Sequence, residues 1–321
     1  MITVLRQING RPTSHEAVDS EWVRPDAAGV LWVDLSQPTA EEARVLADVF
    51  HFHELSVEDA LATVHHPKVE TYADYLYLIL HGIDFRAAGH HFATHDTDFF
   101  IGPNYLVTVH DAKTRSTQLV RDLCLKSEHV LKDGPLALCH RIIDSMVDHY
   151  RPEVDKLRDQ IDALERDVFE GSDPDLMRAL LGLKRDVASL RRVVLPQRDV
   201  VGRLARREFA MVTEAIAYRF RDVHDQLVRL TDEAMYFQDR ITGLLEAHLA
   251  TVSNRLNGVM KVLTLITTVF MPLTVLTSLY GMNVELPHLP GGPNSQFWWI
   301  VGMMVATSAS MFWFFRTRRW L

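Results

Sequence analysis

Asn257, Met260, Thr264, Thr267, Met271, Thr274 and Ser278 follow one another in steps of three and four, the spacing that sets side chains in one line along an α-helix. Most of the line falls in residues 262–280, which hold no formal charge. Oxygens on one side of an apolar helix do one of two things: they wet the wall of a conduit, or they hold helices together across a packing face. Periodicity leaves both open. Hydroxyls turned to lipid would contribute nothing that Leu would not do better. If the line is a wall, one helix encloses nothing, so several copies must surround a common axis.

Sixteen His are the other residues of chemical interest, with His51 and His53, His65 and His66, and His90, His91 and His95 close together. Imidazole suits metals softer than Mg²⁺, such as Zn²⁺. The spacings fit no recognisable ligand pattern, so satisfied or solvated roles are expected. Cys124 and Cys139, both in helix-like segments, are expected to be reduced thiols, which excludes a disulfide framework and a Cys-rich zinc site. There is no Gly-rich phosphate loop, His-Glu-X-X-His or nucleophile elbow, and an enzyme is not expected.

The elements that must position the polar line emerge from the charge pattern. The 321 residues carry 34 Lys+Arg and 42 Asp+Glu, but residues 262–315 hold a single formal charge, Glu285. Residues 262–280 and 297–315 are each 19 residues without charge, close to the ~20 that cross a ~30 Å hydrocarbon core as helix. Arg255 and Lys261 precede the first span, Arg316, Arg318 and Arg319 follow the second, and the connecting 281–296 has neither Lys nor Arg. The positive-inside bias puts both termini in the cytoplasm and the loop outside, in a multi-pass protein of the cell (inner) membrane. Tyr280, Trp298, Trp299 and Trp320 suit the two interfacial belts.

Without Glu285 and the three terminal Arg, residues 1–261 hold 31 Lys+Arg and 41 Asp+Glu, a net charge of −10. That disfavours a nucleic-acid partner. The N-terminus has no basic segment before an apolar one, so export of this part is not expected. Residues 1–112 alternate β-rich runs (2–8, 30–35, 75–83, 97–101, 105–110) with helix-like stretches near 39–50 and 54–63, an α/β domain. In residues 113–207 a 4-3 apolar spacing runs from Ile143 to Val168 and resumes from Leu176 to Val194, predicting an antiparallel helix pair. A stripe from Leu227 to Val259 then enters the first span without a break, predicting one helix over 208–280, roughly 110 Å at ~1.5 Å per residue. Its cytoplasmic part is 208–261 and its membrane part 262–280. The loop 281–296, the second span 297–315 and the basic tail 316–321 complete the chain.

The first span ends in Tyr280-Gly281-Met282-Asn283, and the run from Ser253 through Phe270-Met271-Pro272-Leu273-Thr274 to that motif resembles the CorA family of divalent-cation channels. Val57-Glu58-Asp59-Ala60 and His66-Pro67-Lys68-Val69-Glu70 resemble the family's N-terminal domain, and Phe220-Arg221-Asp222-Val223 and Gly243-Leu244-Leu245-Glu246 its stalk helix. The resemblance implies a homopentameric funnel with an α/β cytoplasmic domain, long coiled-coil-like helices and a two-helix transmembrane hairpin whose first helix lines the pore. It also implies uptake of Mg²⁺, and often Co²⁺ or Ni²⁺, with no organic cofactor.

Carried over by position, Asn283 in the Gly281-Met282-Asn283 motif matches the outer ring that first receives the ion. Neutral amide oxygens there can bind a water shell that Mg²⁺ sheds reluctantly. Tyr280 resembles the aromatic that supports the motif, and Glu285 an acidic position that concentrates cations at the mouth. Thr274, Met271, Leu263, Met260 and Asn257 match successive narrowings, with Met260 and Leu263 as a gate that closes by dewetting. Asp59 beside Glu58, Asp222, and Glu246 match carboxylates that hold regulatory Mg²⁺ between protomers. The zinc branch of the same superfamily and a non-conducting coiled-coil scaffold are the alternatives.

Overall fold

The computed structural model describes residues 1–62, 66–85, 92–111, 114–170, 175–282, 295–318 and 320. It divides into two compact units, Met1–Leu245 and Glu246–Leu321.

In the first unit seven strands form one sheet in the order β2-β1-β3-β7-β6-β5-β4. They are β1 (Ile2–Gln7), β2 (Thr13–His15), β3 (Val30–Ser36), β4 (Lys68–Thr71), β5 (Leu76–Phe85), β6 (Phe92–Ile101) and β7 (Tyr105–His110). All neighbours are antiparallel except β3 and β7, which run parallel with Leu31 opposite Tyr105. The expected runs in 2–8, 30–35, 75–83, 97–101 and 105–110 are all strands. The sequence reading missed β2 and β4, edge strands of three and four residues with no room for an alternating apolar run. Two glycines hold tight positions. A Cβ on Gly29, at φ +93°, would lie 2.2 Å from the Gln7 carbonyl oxygen, and one on Gly102 would lie 2.2 Å from the Tyr105 ring.

Helices α1 (Ala40–Asp48) and α2 (Glu54–Leu61) cover one face of the sheet, where Leu31, Val33, Tyr77, Ile79, Phe100 and Val107 meet Leu46 and Ala60. Thr39 and Glu42 close a capping box at the start of α1, and His53 caps α2 by accepting the Leu55 N–H (3.2 Å). Residues at alternate positions, among them Trp32, Leu78, Phe99 and Leu106, turn to the other face and are fully buried. Helix α3 (Arg115–Lys126), the short α4 (His129–Lys132) and α5 (Pro135–Asp148) follow, with α5 across β3, β5, β6 and β7.

Helices α6 (Tyr150–Glu170) and α7 (Leu176–Ala205) are the expected pair; they lie in contact, and each buries an apolar row, Val154, Leu157, Ile161 and Val168 on α6 and Leu176, Leu183 and Leu190 on α7. The 4-3 pattern from Ile143 crosses a helix boundary, since α5 ends at Asp148 and α6 begins at Tyr150. Helix α8 spans Glu214–Tyr280, 67 residues, rather than starting at 208. The chain turns at Arg207 (φ +60°), where the Glu208 carboxylate receives Arg203 Nε (2.8 Å) and Arg206 Nε (3.0 Å). That left-handed residue and its clasp end α7 and delay the next helix. In the first unit α8 buries Ala217, Phe220, Val223, Leu227, Ala234, Phe237 and Ile241.

The second unit holds the rest of α8 and α9 (Ser295–Thr317). Both are long and apolar enough to cross a membrane, and their apolar faces lie open: Met271 is 66% and Trp313 69% exposed. Such continuous apolar surface requires lipid or further protein to cover it.

Candidate metal sites and the transmembrane stripe

All seven residues of the polar line, from Asn257 to Ser278, are exposed. The half-buried positions of the same span are Leu265, Thr268, Val269, Pro272, Leu273, Leu276 and Tyr280. At 100° per residue these centre on the opposite side of the helix. In α9, Ile300, Met304, Thr307, Ser308 and Met311 recur at the same helical spacing as its half-buried side. Within the hairpin unit, therefore, the polar line is not the packing face.

The threonine hydroxyls are already committed as donors. Thr264 Oγ1 donates to the Met260 carbonyl (2.8 Å), Thr267 to Leu263 (2.9 Å), Thr274 to Phe270 (2.9 Å) and Thr277 to Leu273 (3.0 Å). Each proton is turned back into the helix, so what these residues offer outward is oxygen lone pairs. Three residues of the line, Thr264, Thr267 and Thr274, thus present acceptors outward, which suit the hydrogens of a cation's water shell. At the end of the span the Gly281 N–H still reaches the Thr277 carbonyl (2.9 Å). A Cβ at Gly281 would stand 2.9 Å from that same oxygen, which accounts for glycine at the first position of the motif. Met282 is exposed, as are Met260 and Leu263. Asn283 and Glu285 lie outside the described residues.

In the first unit Asp59 sits on the last turn of α2, beside the edge strand β4. Alternation on β4 turns Lys68 and Glu70 to one side and buries Val69 on the other. Lys68 Nζ then lies 2.5 Å from Asp59 Oδ2 and 2.9 Å from Glu70 Oε1, and 5.5 Å from the centre of the Tyr77 ring. Burial alone would lower the Lys68 pKa, but the hydrogen bonds and charges of the two carboxylates outweigh it and hold the pKa above the usual lysine value. Beneath this group Tyr77 Oη donates to Asp98 Oδ1 (2.6 Å). Burial pushes the Asp98 carboxyl up to about 8, with nearby Asp96 and Asp59 raising it further and the Tyr77 bond opposing. Glu58 is the neighbour of Asp59 on α2.

Asp222 is exposed on α8 and accepts from Gln226 Nε2 (3.2 Å). It lies within electrostatic reach of Asp144 on α5, whose carboxyl is raised by burial first, then by Asp148 and Asp222. Asp144 and Asp148 were not singled out in the sequence, where they look like polar positions of an ordinary amphipathic helix. Glu246 is exposed further along α8. The described residues of one chain contain no group of three or more His, Cys, Asp and Glu able to hold a metal.

Several of the described histidines are occupied locally. His51 Nδ1 contacts the Ala47 carbonyl (3.1 Å) and His53 caps α2. His81 pairs with Asp96 (2.5 Å), and His110 Nε2 donates to buried Asp34 (3.0 Å), which also receives Thr108 Oγ1 (2.5 Å). His65, His90 and His91 lie outside the described residues. Both cysteines are buried and unpaired with each other; burial raises the Cys124 thiol to about 12 and moves Cys139 the same way.

The family model described as CorA-like Mg²⁺ transporter protein matches residues 27–319. The Bacillus subtilis protein YfjQ, whose name describes a metal ion transporter, is 30% identical over 298 residues, 92% of this chain and 91% of that one. The cobalt/magnesium transport protein CorA of Thermotoga maritima is 28% identical over 314 residues, 95% and 88% of the two chains. A zinc transport protein, ZntB of Yersinia pseudotuberculosis, is also similar, at 27% over 304 residues covering 90% and 88%. The fold matches the complete structure of the CorA magnesium transporter from Methanocaldococcus jannaschii with a TM-score of 0.86, 22% identity and coverage of 100% and 99%. A chain with two membrane-length helices and a family match over nearly its whole length is a divalent-cation transporter, and it belongs to the CorA-like Mg²⁺ transporter family.

Proposed function

We propose that this chain assembles as a homopentamer around the polar line of α8 and conducts Mg²⁺ passively into the cytoplasm. The observation that carries the reading is the exposed row of threonine oxygens, with their protons turned inward, on the side of α8 away from its half-buried face. Mg²⁺ keeps its inner waters, and a wall of acceptors holds those waters without replacing them. Asn283 is the entry ring, with Gly281 and Met282 shaping the backbone below it, Tyr280 supporting it and Glu285 drawing cations to the mouth. Ser278, Thr274, Met271, Thr267 and Thr264 line the descent to a constriction at Leu263, Met260 and Asn257. No step requires a chemical energy source: an inside-negative potential favours a divalent cation by ~4.6 kcal/mol per 100 mV.

Cytoplasmic Mg²⁺ held between protomers by Asp59 and Asp222, with Glu58 and Glu246 nearby, keeps the conduit closed. Glu58, Asp222 and Glu246 are exposed and Asp59 is half-buried beside Lys68, and an ion between protomers would neutralise negative charge on these carboxylates. When the ion leaves, their repulsion loosens the ring. Both termini are cytoplasmic in this arrangement. Zinc is the second reading, and the use of His51, His53, His81 and His110 in local bonds weighs against it.

The test is uptake of Mg²⁺, Co²⁺ and Zn²⁺ into proteoliposomes, with and without Mg²⁺ inside, for wild type and Asn283→Ala. Mg²⁺ entry suppressed by internal Mg²⁺ and lost in the variant is expected. Zn²⁺ entry indifferent to internal Mg²⁺, or unchanged Mg²⁺ entry in the variant, would overturn the reading.

A further inference from the structure

We propose that Lys68 is a tethered cation that competes with Mg²⁺ for Asp59 and thereby sets the cytoplasmic Mg²⁺ concentration at which conduction stops. The inference rests on the reading of Asp59 as a regulatory ligand and adds a residue to it. Three observations support it. The Lys68 ammonium is already bound where a divalent ion would have to bind, 2.5 Å from one oxygen of Asp59 and 2.9 Å from Glu70. Its position is fixed rather than incidental: β4 supplies the backbone, the Tyr77 ring lies below it, and Tyr72 Oη donates to the other oxygen of Glu70 (3.1 Å). The group also opens on an external groove of about 590 Å³ lined by Leu55, Asp59, Lys68, Glu70, Thr71 and Tyr72. Asp59, Lys68 and Glu70 side chains are all partly exposed, so an ion from the cytoplasm can reach them.

The charges determine the direction of the effect. One ammonium between two carboxylates leaves the group at −1, and Mg²⁺ gains Asp59 only by displacing the ammonium. Without Lys68 the same ion meets a charge of −2 and has no ammonium to displace. For a solvated group a few ångströms across, one extra unit of attraction on a divalent ion raises its affinity by roughly tenfold, less as salt screens it. A native lysine therefore makes the sensor deliberately weak, so that it responds in a higher range of Mg²⁺ than a bare carboxylate pair would. The ammonium also keeps Asp59 compensated when the ion has left, so the open state does not carry an uncompensated carboxylate pair.

The experiment measures the internal Mg²⁺ that halves uptake in proteoliposomes of the full-length protein, for wild type, Lys68→Met, Lys68→Arg and Asp59→Asn. Lys68→Met is expected to lower the half-inhibiting concentration roughly tenfold and Lys68→Arg to leave it near wild type. An unchanged or higher value in Lys68→Met, with Asp59→Asn shifting the curve, would overturn the role of Lys68 while leaving the sensor in place. An Asp59→Asn curve that matches wild type would overturn the sensor reading itself, and this inference with it. A second readout, the Mg²⁺ concentration that half-protects the detergent-solubilised protein from chymotrypsin, does not depend on conduction. It should move in the same direction, and no movement in Lys68→Met would count against the inference even if that variant fails to conduct.

Discussion

Asp98 should make the stability of this protein fall as pH rises, and replacing it with Asn should remove that dependence. The carboxyl is buried under the sheet's α2 side, with Tyr77 Oη as its donor at 2.6 Å. In the folded chain burial keeps it protonated up to about pH 8, whereas an unfolded Asp releases its proton near 3.9. Between those values the folded state holds one more proton than the unfolded state. Stability is then greatest at the acid end and falls by ~1.4 kcal/mol per pH unit as pH rises, flattening above the folded pKa. Asn is isosteric, still accepts from Tyr77 and does not titrate. The difference in unfolding free energy between wild type and Asp98→Asn should therefore shift by roughly 2–3 kcal/mol in the mutant's favour between pH 5.5 and 7.5, then level off above about pH 9. The assay is urea unfolding in detergent followed by near-ultraviolet circular dichroism, with both proteins at each pH. Other titrating groups cancel in the difference. Parallel curves across the range would refute the reasoning, because they would mean that Asp98 ionises at the same pH folded and unfolded.

Gly29→Ala should cost at least ~3 kcal/mol, since the added Cβ at positive φ runs into the Gln7 carbonyl; a melting temperature within a degree or two of wild type would count against it. Arg240 joins α8 to α6 through Asp162 (2.6 Å) and Glu165, and because those carboxylates are partly open to solvent its replacement by Met should cost only about 1 kcal/mol. That small loss should shrink further in 1 M salt, as thermal melts at two ionic strengths would reveal. Thr267→Val keeps the shape of the polar line but removes one oxygen acceptor per chain, and should reduce Mg²⁺ uptake without changing expression or oligomer size. Uptake equal to wild type would argue that the row of oxygens is not the wall.

The sheet's five long strands and the two spans were legible because each carries its own period or its own lack of charge. What escaped had no local signature. Strands β2 and β4 are too short to alternate, and they exist because a neighbouring edge accepts them. The start of α8 was set by one left-handed residue, Arg207, and by two Arg closing on Glu208, an arrangement that looks like ordinary surface charge in a linear sequence. At the candidate sites the identity of the polar line was visible, but the direction of its hydroxyl protons was not, since each depends on a carbonyl four residues back. Asp59 stood out through its surrounding motif. Its bond to Lys68 did not, because only the pairing of β4 with β5 brings that lysine alongside α2.

The single parallel seam between β3 and β7 has a consequence for synthesis. On either side of it the sheet is built from antiparallel neighbours, β2-β1-β3 and β7-β6-β5-β4. Short connections bring most of these together, and such pairings form early. The seam joins the two groups across a long sequence distance: the bond from Trp32 Nε1 to Thr108 Oγ1 links residues 76 positions apart. As the chain leaves the ribosome, β3 emerges with one edge paired and the other bare, and its partner strand does not exist until β7 has been made. Asp34 must likewise wait for Thr108 and His110, which both bond its buried Oδ1. Throughout that interval the nascent α/β domain presents an open strand edge, the feature that chaperones shield and that neighbouring nascent copies can pair with.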